Sequence, residues 1–323
     1  MTDAPATIVT DAPATDAPAP APATIVSDLP EPGAPGFVRF IDSMGSDRSV
    51  ASMARLSYGK GDIAKKDSGL AAACTKGDIA LIRFLFRHAH TSPFEGITVK
   101  LHVKAPIFVA RQWMRHRTAS YNEYSQRYSE APDDPPFFPA AIAAQPGAAE
   151  VAGVGVVSAN PQGRAEALPS ETNQGLHTIA GAAIAGARGA YDSLIGAGVA
   201  RETARGVLPV AGWTEFVVVQ NLHNLFHFLA LRLDSHSQTE IRAFSRAVLQ
   251  LIEARFPVCV QAFRDYRLNA VRLTSLEVRA LRRLLASADV ATAVTAEALG
   301  QFANKREAAE WRAKLLSLAG PAE

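Results

Sequence analysis

Hydrophobic and polar residues alternate most regularly over residues 97–104, where the sequence reads ITVKLHVK. A two-residue period places successive side chains on opposite faces, so this segment predicts a β-strand with one buried face. The short apolar run at residues 37–41 predicts a second strand. The β-branched, apolar run at residues 213–220 predicts either a buried strand or the lead-in to a helix.

Other segments repeat apolar residues at helical spacing, and several begin at a capping residue. Helices are predicted after Asp47, after Asp78, over residues 106–115, 174–197 and 201–209, after Asn221, over residues 240–256, after Thr274 and over residues 306–318. In the helix at residues 106–115, Gln112 and Arg115 are three residues apart and lie on one face. That face ends next to a strongly polar segment.

Four regions depart from these patterns. Residues 1–35 repeat Ala, Pro, Thr and Asp without a basic residue, so they predict a disordered tail rather than a secretory signal or a mitochondrial presequence. Residues 59–69, which contain three lysines, predict a mobile loop. Their Gly-Lys-Gly is not interpreted as a phosphate loop, because its spacing is wrong and no strand precedes it. Residues 139–170 predict a flexible Ala-, Gly- and Pro-rich insert, whose GVGVVS at residues 153–158 lacks the third glycine of a dinucleotide fingerprint. Residues 273–323 predict a helical C-terminal extension.

The 323-residue chain carries a formal net charge of +2 at pH 7, which excludes a polybasic nucleic-acid coat. Cys74 and Cys259 are far apart and form no C-x-x-C motif, as is typical of a reducing compartment. No apolar run approaches the roughly 18 residues of a membrane span, so a cytoplasmic protein without a membrane partner is expected. The arginines at positions 279, 282 and 283 are interpreted as a solvated helix face, and no nucleic-acid partner is expected.

Residues 115–128 (RHRTASYNEYSQRY) form a dense polar segment directly after an apolar helix. Arginine forks match phosphate and carboxylate oxygens, and fixed hydroxyls and amides suit the edge of a heterocycle. The same composition also fits a salt-bridged surface turn. The segment is therefore a candidate anion-binding site, and it is expected to be a helix C-terminus that runs into a loop.

Two histidine pairs suggest a metal site as an alternative. His88 and His90 are two residues apart, so in a helix they point to different sides and cannot easily share one ion. His223 and His227 are four apart, a spacing that can bind zinc, but the glutamate of an H-E-x-x-H motif is absent. No metal is predicted.

The polar segment resembles the R-H-R-x-x-S-x-N-x-x-S-x-R-Y signature of the flavin-dependent thymidylate synthases. Four further blocks are similar to motifs of that family: residues 90–95 (H-x-[ST]-P-F-E), 104–113 (its strand-to-helix junction), 201–209 (R-E-x-A-R-x-x-L-P) and 231–241 (L-R-x-D-x-H-A-Q-x-E-I). The resemblance covers roughly residues 37–271 apart from the insert. It implies an α/β (α+β) fold with a central, mostly antiparallel sheet flanked by helical layers. It also implies a catalytic domain over residues 36–272, to which the C-terminal helical extension is appended, and a homotetramer with sites shared between subunits.

The activity that the resemblance implies is reductive methylation of dUMP to dTMP. The carbon donor would be 5,10-methylenetetrahydrofolate, and NADPH-reduced FAD would supply the hydride. No cysteine nucleophile is expected, because neither Cys74 nor Cys259 has a His or Arg neighbour in the sequence that would lower its pKa. By resemblance, Arg232 is the catalytic residue and favours loss of the N3 proton of the pyrimidine. A charge at about 4 Å and an effective dielectric of ~20 contributes roughly 4 kcal/mol.

The resemblance also assigns binding residues one by one. The dUMP is expected to contact Gln112, Arg115, Glu123, Tyr124, Ser125, Gln126, Arg127, Arg205 and Arg232, with backbone N–H groups of residues 123–127 at the phosphate. The FAD is expected to contact Ser57, Ser92, Glu95, Arg115, His116, Arg117, Glu123, Asn221, His223, His227 and His236. His90 is a candidate for folate or proton handling. Ser125 is interpreted as a phosphate ligand rather than a nucleophile, because no His–Asp pair is assigned to it.

His223 and His227 depart from the family pattern, in which an asparagine and an arginine are common at or near these positions. The flavin contacts there are therefore open. Two other classes of function compete: a nucleotide- or flavin-binding module without catalysis, indicated by these departures and the insert, and a nucleic-acid-binding helical protein, indicated by the arginine clusters. Thymidylate formation by a yellow protein would favour the enzyme over both.

Overall fold

The computed structural model describes residues 25–59, 74–140, 149–151, 155–157, 170–285, 302 and 305–319. Two compact units are formed, one from Met1–Met44 and Thr98–Ile252, the other from Gly45–Ile97 and Glu253–Glu323. Each unit is therefore built from two separate segments of the chain. In this division residues 253–323 lie in the same unit as residues 45–97.

The strands lie in the first unit. They are β1 (Ile25–Leu29), β2 (Gly36–Met44), β3 (Thr98–Pro106), β4 (Ser120–Glu123), β5 (Ala149–Val151), β6 (Gly155–Val157) and β7 (Trp213–Asn221). Five of them form a sheet in the order β1-β2-β3-β7-β4, in which every neighbouring pair is antiparallel, and β5 and β6 pair separately. Burial alternates along β3 and β7, so both predicted strands are confirmed and the helix lead-in at residues 213–220 is excluded. The predicted α/β fold with an antiparallel sheet is confirmed.

The helices occupy both units. They are α1 (Asp47–Leu56), α2 (Lys76–Arg87), α3 (Ser92–Glu95), α4 (Ile107–Trp113), α5 (Ser170–Gly196), α6 (Arg201–Ala204), a 3-10 turn (Arg205–Val207), α7 (Leu222–Arg232), α8 (Thr239–Arg255), α9 (Pro257–Phe263), a π-helical turn (Arg264–Leu268), α10 (Ser275–Leu285) and α11 (Lys305–Ala319). Within the described residues, no helix combines the length and the apolar composition that crossing a bilayer requires.

Three regions predicted to be irregular contain strands. The disordered tail predicted over residues 1–35 is wrong for β1, which pairs with β2. The loop predicted after α4 is wrong for β4, which pairs with β7. The predicted flexible insert contains the β5–β6 pair. Residues 1–24, 60–73, 141–148, 152–154 and 158–169, which include the rest of these regions and most of the predicted lysine-rich loop, lie outside the described residues.

The core of the first unit is aromatic. Trp113, at the end of α4, is fully buried and stacks on Phe228 of α7 with ring centroids 4.6 Å apart. Phe216 of β7 and Phe244 of α8 meet the same indole edge to face at 5.5 and 6.5 Å. Edge-to-face and offset stacks contribute beyond the buried area. This cluster fixes α4 and α7, which carry the two ends of the candidate site.

In the second unit, Asp47 joins segments that are distant in sequence. The prediction that Asp47 caps α1 is wrong, because Ser46 is the cap and Asp47 is the first helical residue. The buried Asp47 carboxylate instead accepts the backbone N–H groups of Val258 and Cys259, both at 2.9 Å, at the start of α9. A carboxylate at a helix N-terminus satisfies two of its four free N–H groups.

Candidate active site

Arg232 is the last residue of α7, and two hydrogen bonds hold its guanidinium. Its Nε donates to His116 Nε2 at 2.9 Å, and its Nη2 donates to the backbone carbonyl of Gln112 at 3.2 Å. Burial holds the pKa of Arg232 below its usual value, although an arginine remains a cation in a protein. Its Nη1 has no hydrogen-bond partner among the described residues, so this nitrogen of a fixed cation is available to bind a ligand.

His116 is buried, and its ring is neutral. Its Nε2 accepts a hydrogen bond from Arg232 Nε, which places the ring's own proton on Nδ1. Burial, followed by the charges of Arg232 and His227, lowers the pKa of His116 to about 4. The histidine of the R-H-R motif is thus an acceptor that orients Arg232, a role that the motif alone did not predict.

This pKa makes stability depend on pH in a defined direction. The unfolded chain binds a proton at His116 below pH ~6.5, whereas the folded chain does so only near pH 4. The stability that neutral His116 contributes is therefore complete above pH 6.5 and is lost as the pH falls from 6.5 toward 4. We expect the free energy of unfolding of the wild type to fall about 1 to 3 kcal/mol further than that of His116→Gln across this window.

Urea unfolding of both proteins between pH 4.5 and 7.5 measures this difference. Glutamine keeps an acceptor for Arg232 but does not titrate, so it is a matched control. Parallel curves for the two proteins would show that His116 is not the titrating group.

Two further residues support this network and were not predicted as site residues. The Gln112 side-chain amide donates to Gln238 Oε1, and Gln238 belongs to the matched block at residues 231–241. The Tyr121 hydroxyl donates to the His116 carbonyl at 2.8 Å, and burial raises the pKa of Tyr121 to about 12. Tyr121 occupies a variable position of the signature, so the motif gave no signal for it.

A cavity of about 580 Å³ in the first unit is lined by four of the nine predicted dUMP residues, and the other five, Gln112, Arg115, Ser125, Arg127 and Arg232, are not among its lining residues. Its lining residues include Arg111, Glu123, Tyr124, Gln126, Glu202, Arg205 and Thr214. Glu123 is fixed there because its Oε1 accepts the hydroxyl of the buried Thr214 at 2.8 Å. The volume lies within the usual range of small-molecule sites. Arg111, Glu202 and Thr214 were not predicted; Arg111 and Glu202 lie within matched blocks at positions that were given no role.

Some hydrogen-bond donors of the turn after β4 already have protein acceptors. Arg127 donates from Nε and Nη2 to Glu202 Oε2 at 3.2 and 3.0 Å, and its backbone N–H donates to Ser125 Oγ at 3.3 Å. The Tyr124 N–H donates to the Glu215 carbonyl. Of the predicted phosphate-binding N–H groups, those of Ser125 and Gln126 have no partner among the described residues. Arg127 and Glu202 are both more than half exposed, so their pair is weak and an incoming anion can compete for Arg127.

The remaining predicted flavin residues of the first unit lie between α4 and β4 and in the segment from Asn221 to His236, which contains α7. Arg115 and Arg117 are exposed and have no ion pair among the described residues. Asn221 caps α7 by accepting the Asn224 N–H at 2.8 Å, which confirms the predicted cap. The exposed His227 ring lies 6.1 Å from that of His116. The backbone N–H of His236 donates to Asp234 Oδ1 at 2.8 Å, and the exposed His236 ring contacts the same oxygen at 2.7 Å. These two hydrogen bonds lower the pKa of Asp234.

The other predicted residues lie in the second unit. Ser57 follows the last residue of α1, and Ser92 and Glu95 begin and end α3, all with exposed side chains. His90 lies between α2 and α3, also exposed, with its N–H donated to the Leu85 carbonyl at 2.9 Å. Among the described residues, no three His, Cys, Asp or Glu side chains gather as metal ligands.

The two cysteines have raised pKa values. Burial, reinforced by the carboxylates of Asp47 and Asp78, raises the pKa of Cys74 to about 11. Burial and Asp47 raise the pKa of Cys259 well above its usual value. Because the thiolate is the nucleophilic form, neither cysteine is prepared for attack.

An antiparallel sheet whose β4 edge leads into an arginine-containing turn beside a cavity of about 580 Å³ fits an α/β enzyme with an anionic substrate. Residues 39–258 match the family described as Thymidylate synthase complementing protein. The chain is 43% identical over 284 residues to a flavin-dependent thymidylate synthase of Ruegeria pomeroyi, covering 86% of this chain and 83% of the relative. It is 44% identical over 251 residues to that of Thermus thermophilus, covering 77% and 83%. The chain belongs to the flavin-dependent thymidylate synthase family, and the predicted family and enzyme class are confirmed.

Solved structures agree with this assignment. The UMP/dUMP methylase PolB from Streptomyces cacaoi, bound with 5-Br dUMP, has a TM-score of 0.59 and 29% sequence identity to this chain. The similarity covers 72% of this chain and 97% of PolB. The same protein bound with 5-Br UMP has a TM-score of 0.60.

Proposed function

We propose that this synthase methylates dUMP to dTMP reductively, with FAD as cofactor and with NADPH and 5,10-methylenetetrahydrofolate as co-substrates. The observation that supports the proposal most is the arrangement of Arg232, a partly buried cation fixed by His116 and by the Gln112 carbonyl with Nη1 left available. Preorganised charge of this kind stabilises a developing anion without reorganisation during the reaction.

In the proposed mechanism, Arg232 activates the pyrimidine electrostatically. A cation about 4 Å from the N3–C4 edge, at an effective dielectric of ~20, contributes roughly 4 kcal/mol and lowers the imide pKa by about three units. The anionic pyrimidine carries nucleophilic character at C5 without addition of a thiol. The raised pKa values of Cys74 and Cys259 support this route.

The cavity beside β4 is the proposed dUMP site. Arg127 and Arg205 would contact the phosphate together with the N–H groups of Ser125 and Gln126, and Glu123, Tyr124, Gln112 and Arg115 would orient the nucleoside. A phosphate dianion would displace Glu202 from Arg127, because it offers more charge than one exposed carboxylate. Ser125 stays assigned as a phosphate ligand. No histidine accepts its hydroxyl proton among the described residues.

The donor set fits a flavin dinucleotide. Arg115 and Arg117 are exposed cations without ion-pair partners among the described residues, and they suit a pyrophosphate. When bound, reduced FAD supplies the hydride for the transferred carbon. The proposed FAD contacts in the first unit also include His116, Glu123, Asn221, His223, His227 and His236. In the second unit they are Ser57, Ser92 and Glu95, with His90 proposed to handle the folate or a proton.

We also propose a homotetramer with shared sites. Helix α5, all of whose residues are described, is 27 residues long and buries only Tyr191. Ile179 on this helix is 68% exposed and Leu176 is 36% exposed. An apolar helix face of this length usually packs against something, and a second copy of the chain is the proposed partner. Both cysteines are free, which suits the reducing cytoplasm that we propose as its location.

The proposed function predicts a yellow protein whose flavin absorbance changes when dUMP is added. We expect the purified full chain to convert dUMP to dTMP only when NADPH and 5,10-methylenetetrahydrofolate are both supplied. Product formation is measured by chromatography, and each co-substrate is omitted in turn as a control. A colourless protein that cannot be loaded with FAD, or a flavoprotein that forms no dTMP, would contradict the proposal.

A further inference from the structure

Helix α11 packs against α2 in the second unit, although α11 lies beyond residues 39–258, the part that matches the family. Glu307 of α11 lies 3.6 Å from Arg83 Nη2 and 3.4 Å from Arg87 Nη1. Its Oε1 also accepts the Tyr266 hydroxyl at 2.7 Å. The side chains of both arginines are only 12% exposed and that of Glu307 is 9% exposed, so this contact is largely shielded from solvent.

One turn further along, α11 reaches the C-terminal end of α2. Glu310 Oε2 lies 2.9 Å from Arg87 Nη2 and 3.2 Å from His88 Nε2. Arg306 places its guanidinium 4.2 Å from the centre of the Phe84 ring. The same ring contacts His88 at 4.5 Å and His90 at 6.0 Å. The appended helix therefore contacts the residues on both sides of the α2 terminus.

The backbone at this terminus is strained. Ala89 has a φ of +56°, in the left-handed region that residues with a Cβ rarely adopt. Such a conformation persists only where its surroundings fix it. The N–H groups of Ala89 and His90 donate to Phe86 and Leu85 at 3.2 and 2.9 Å. Immediately after it come His90 and α3, which carry the proposed folate and flavin residues.

We propose that Arg306 and Glu310 are positioning residues that hold the segment from His88 to Glu95 in one geometry. Glu310 contacts His88 and Arg87, and the Arg306 guanidinium lies over the Phe84 ring. Helix α11 of the C-terminal extension therefore restrains the strained turn at Ala89. The functional part of this inference rests on the proposed function, in which His90, Ser92 and Glu95 bind folate and flavin. The extension is thereby assigned a role at the cofactor side of the reaction.

The test compares three variants of the full chain by hydrogen exchange over residues 88–96. In Arg306→Ala/Glu310→Ala we expect exchange to accelerate about tenfold, whereas Arg312→Ala, an exposed arginine of the same helix, is the matched control and should match the wild type. Adding Ala89→Gly to the double variant should restore much of the protection, because glycine adopts the left-handed conformation without strain. Equal exchange in the double variant and in Arg312→Ala would overturn the proposal.

A kinetic comparison then separates positioning from general stability. The KM for 5,10-methylenetetrahydrofolate and the dissociation constant of FAD should rise at least about fivefold in the double variant, with the KM for dUMP within about twofold of the wild type. Arg306→Lys, which keeps a cation over Phe84, should raise the KM for 5,10-methylenetetrahydrofolate and the dissociation constant of FAD less than Arg306→Ala does. A parallel rise of both KM values would overturn the positioning role. A wild type that forms no dTMP would contradict the proposed function, and the exchange comparison would still decide whether α11 clamps the turn.

Discussion

Arg232→Ala is expected to lower kcat for dTMP formation about a thousandfold while the fold and the bound flavin remain. The expectation follows from the roughly 4 kcal/mol that a fixed cation contributes at ~4 Å, since each 1.36 kcal/mol changes a rate tenfold. The fold should persist because Arg232 is the last residue of α7 and is only partly buried. Its two acceptors, His116 Nε2 and the Gln112 carbonyl, can be hydrated when the side chain is removed.

Two variants make this prediction specific. Arg232→Lys keeps the charge but cannot donate to His116 and to Gln112 as the guanidinium does, so an intermediate kcat is expected. Arg242→Ala removes an arginine that, among the described residues, donates only to the Ser235 carbonyl and to Thr239 Oγ1, both at 3.3 Å, and serves as the control with near-normal kcat. Steady-state kinetics, flavin absorbance and far-UV circular dichroism give the three readouts. If Arg232→Ala retained a kcat within about threefold of the wild type, the assignment of Arg232 would be wrong.

Local sequence patterns predicted those strands and helices whose own residues show hydrophobic periodicity or a capping residue. The alternation at residues 97–104 and the cap at Asn221 are both observed. Asp47 shows the limit of local sequence patterns. Its position suits a cap of α1, but its carboxylate accepts backbone N–H groups 211 and 212 residues away in the sequence. The N-cap of α1 is instead Ser46, one residue earlier, and only the tertiary structure decides which N–H groups a carboxylate meets.

The edge strands were missed for a related reason. Strand β1 follows an Ala/Pro-rich stretch whose composition is typical of disorder, and β4 (Ser-Tyr-Asn-Glu) has no apolar alternation. Both are extended because a neighbouring strand, β2 or β7, offers its unpaired backbone groups. Strand pairing is non-local, so a short polar segment can join a sheet edge without any signal in its own sequence.

The sequence proposed candidate site residues by their type and motif position, but not the hydrogen-bond partners of those residues. The motif resemblance proposed Arg232, His116, Arg127 and Glu123 as site residues, and all four lie in the first unit. It did not indicate that His116 would use Nε2 on Arg232, or that Arg127 would pair with Glu202. These choices depend on which helix and turn come together, and they decide which donors remain available for a ligand.

Trp113→Ala is expected to cause the largest loss of stability, about 3 to 5 kcal/mol, because it empties the centre of the aromatic core. Trp113 is fully buried and contacts Phe216, Phe228 and Phe244. The same change should loosen α4, which carries Gln112 just before the tryptophan. Activity is therefore expected to fall together with the midpoint of urea unfolding monitored by circular dichroism.

Trp113→Phe is the informative control, because two effects oppose each other in it. The indole Nε1 is buried without a hydrogen-bond partner among the described residues, and removing such a donor recovers about 1 to 3 kcal/mol. The smaller ring leaves a cavity and loses part of the 4.6 Å stack on Phe228, which costs a comparable amount. The net change should stay within about 1.5 kcal/mol of the wild type. A Phe variant as unstable as the Ala variant would mean that the indole nitrogen is satisfied in solution, and an Ala variant within about 1 kcal/mol of the wild type would mean that this cluster is not the core that holds α4.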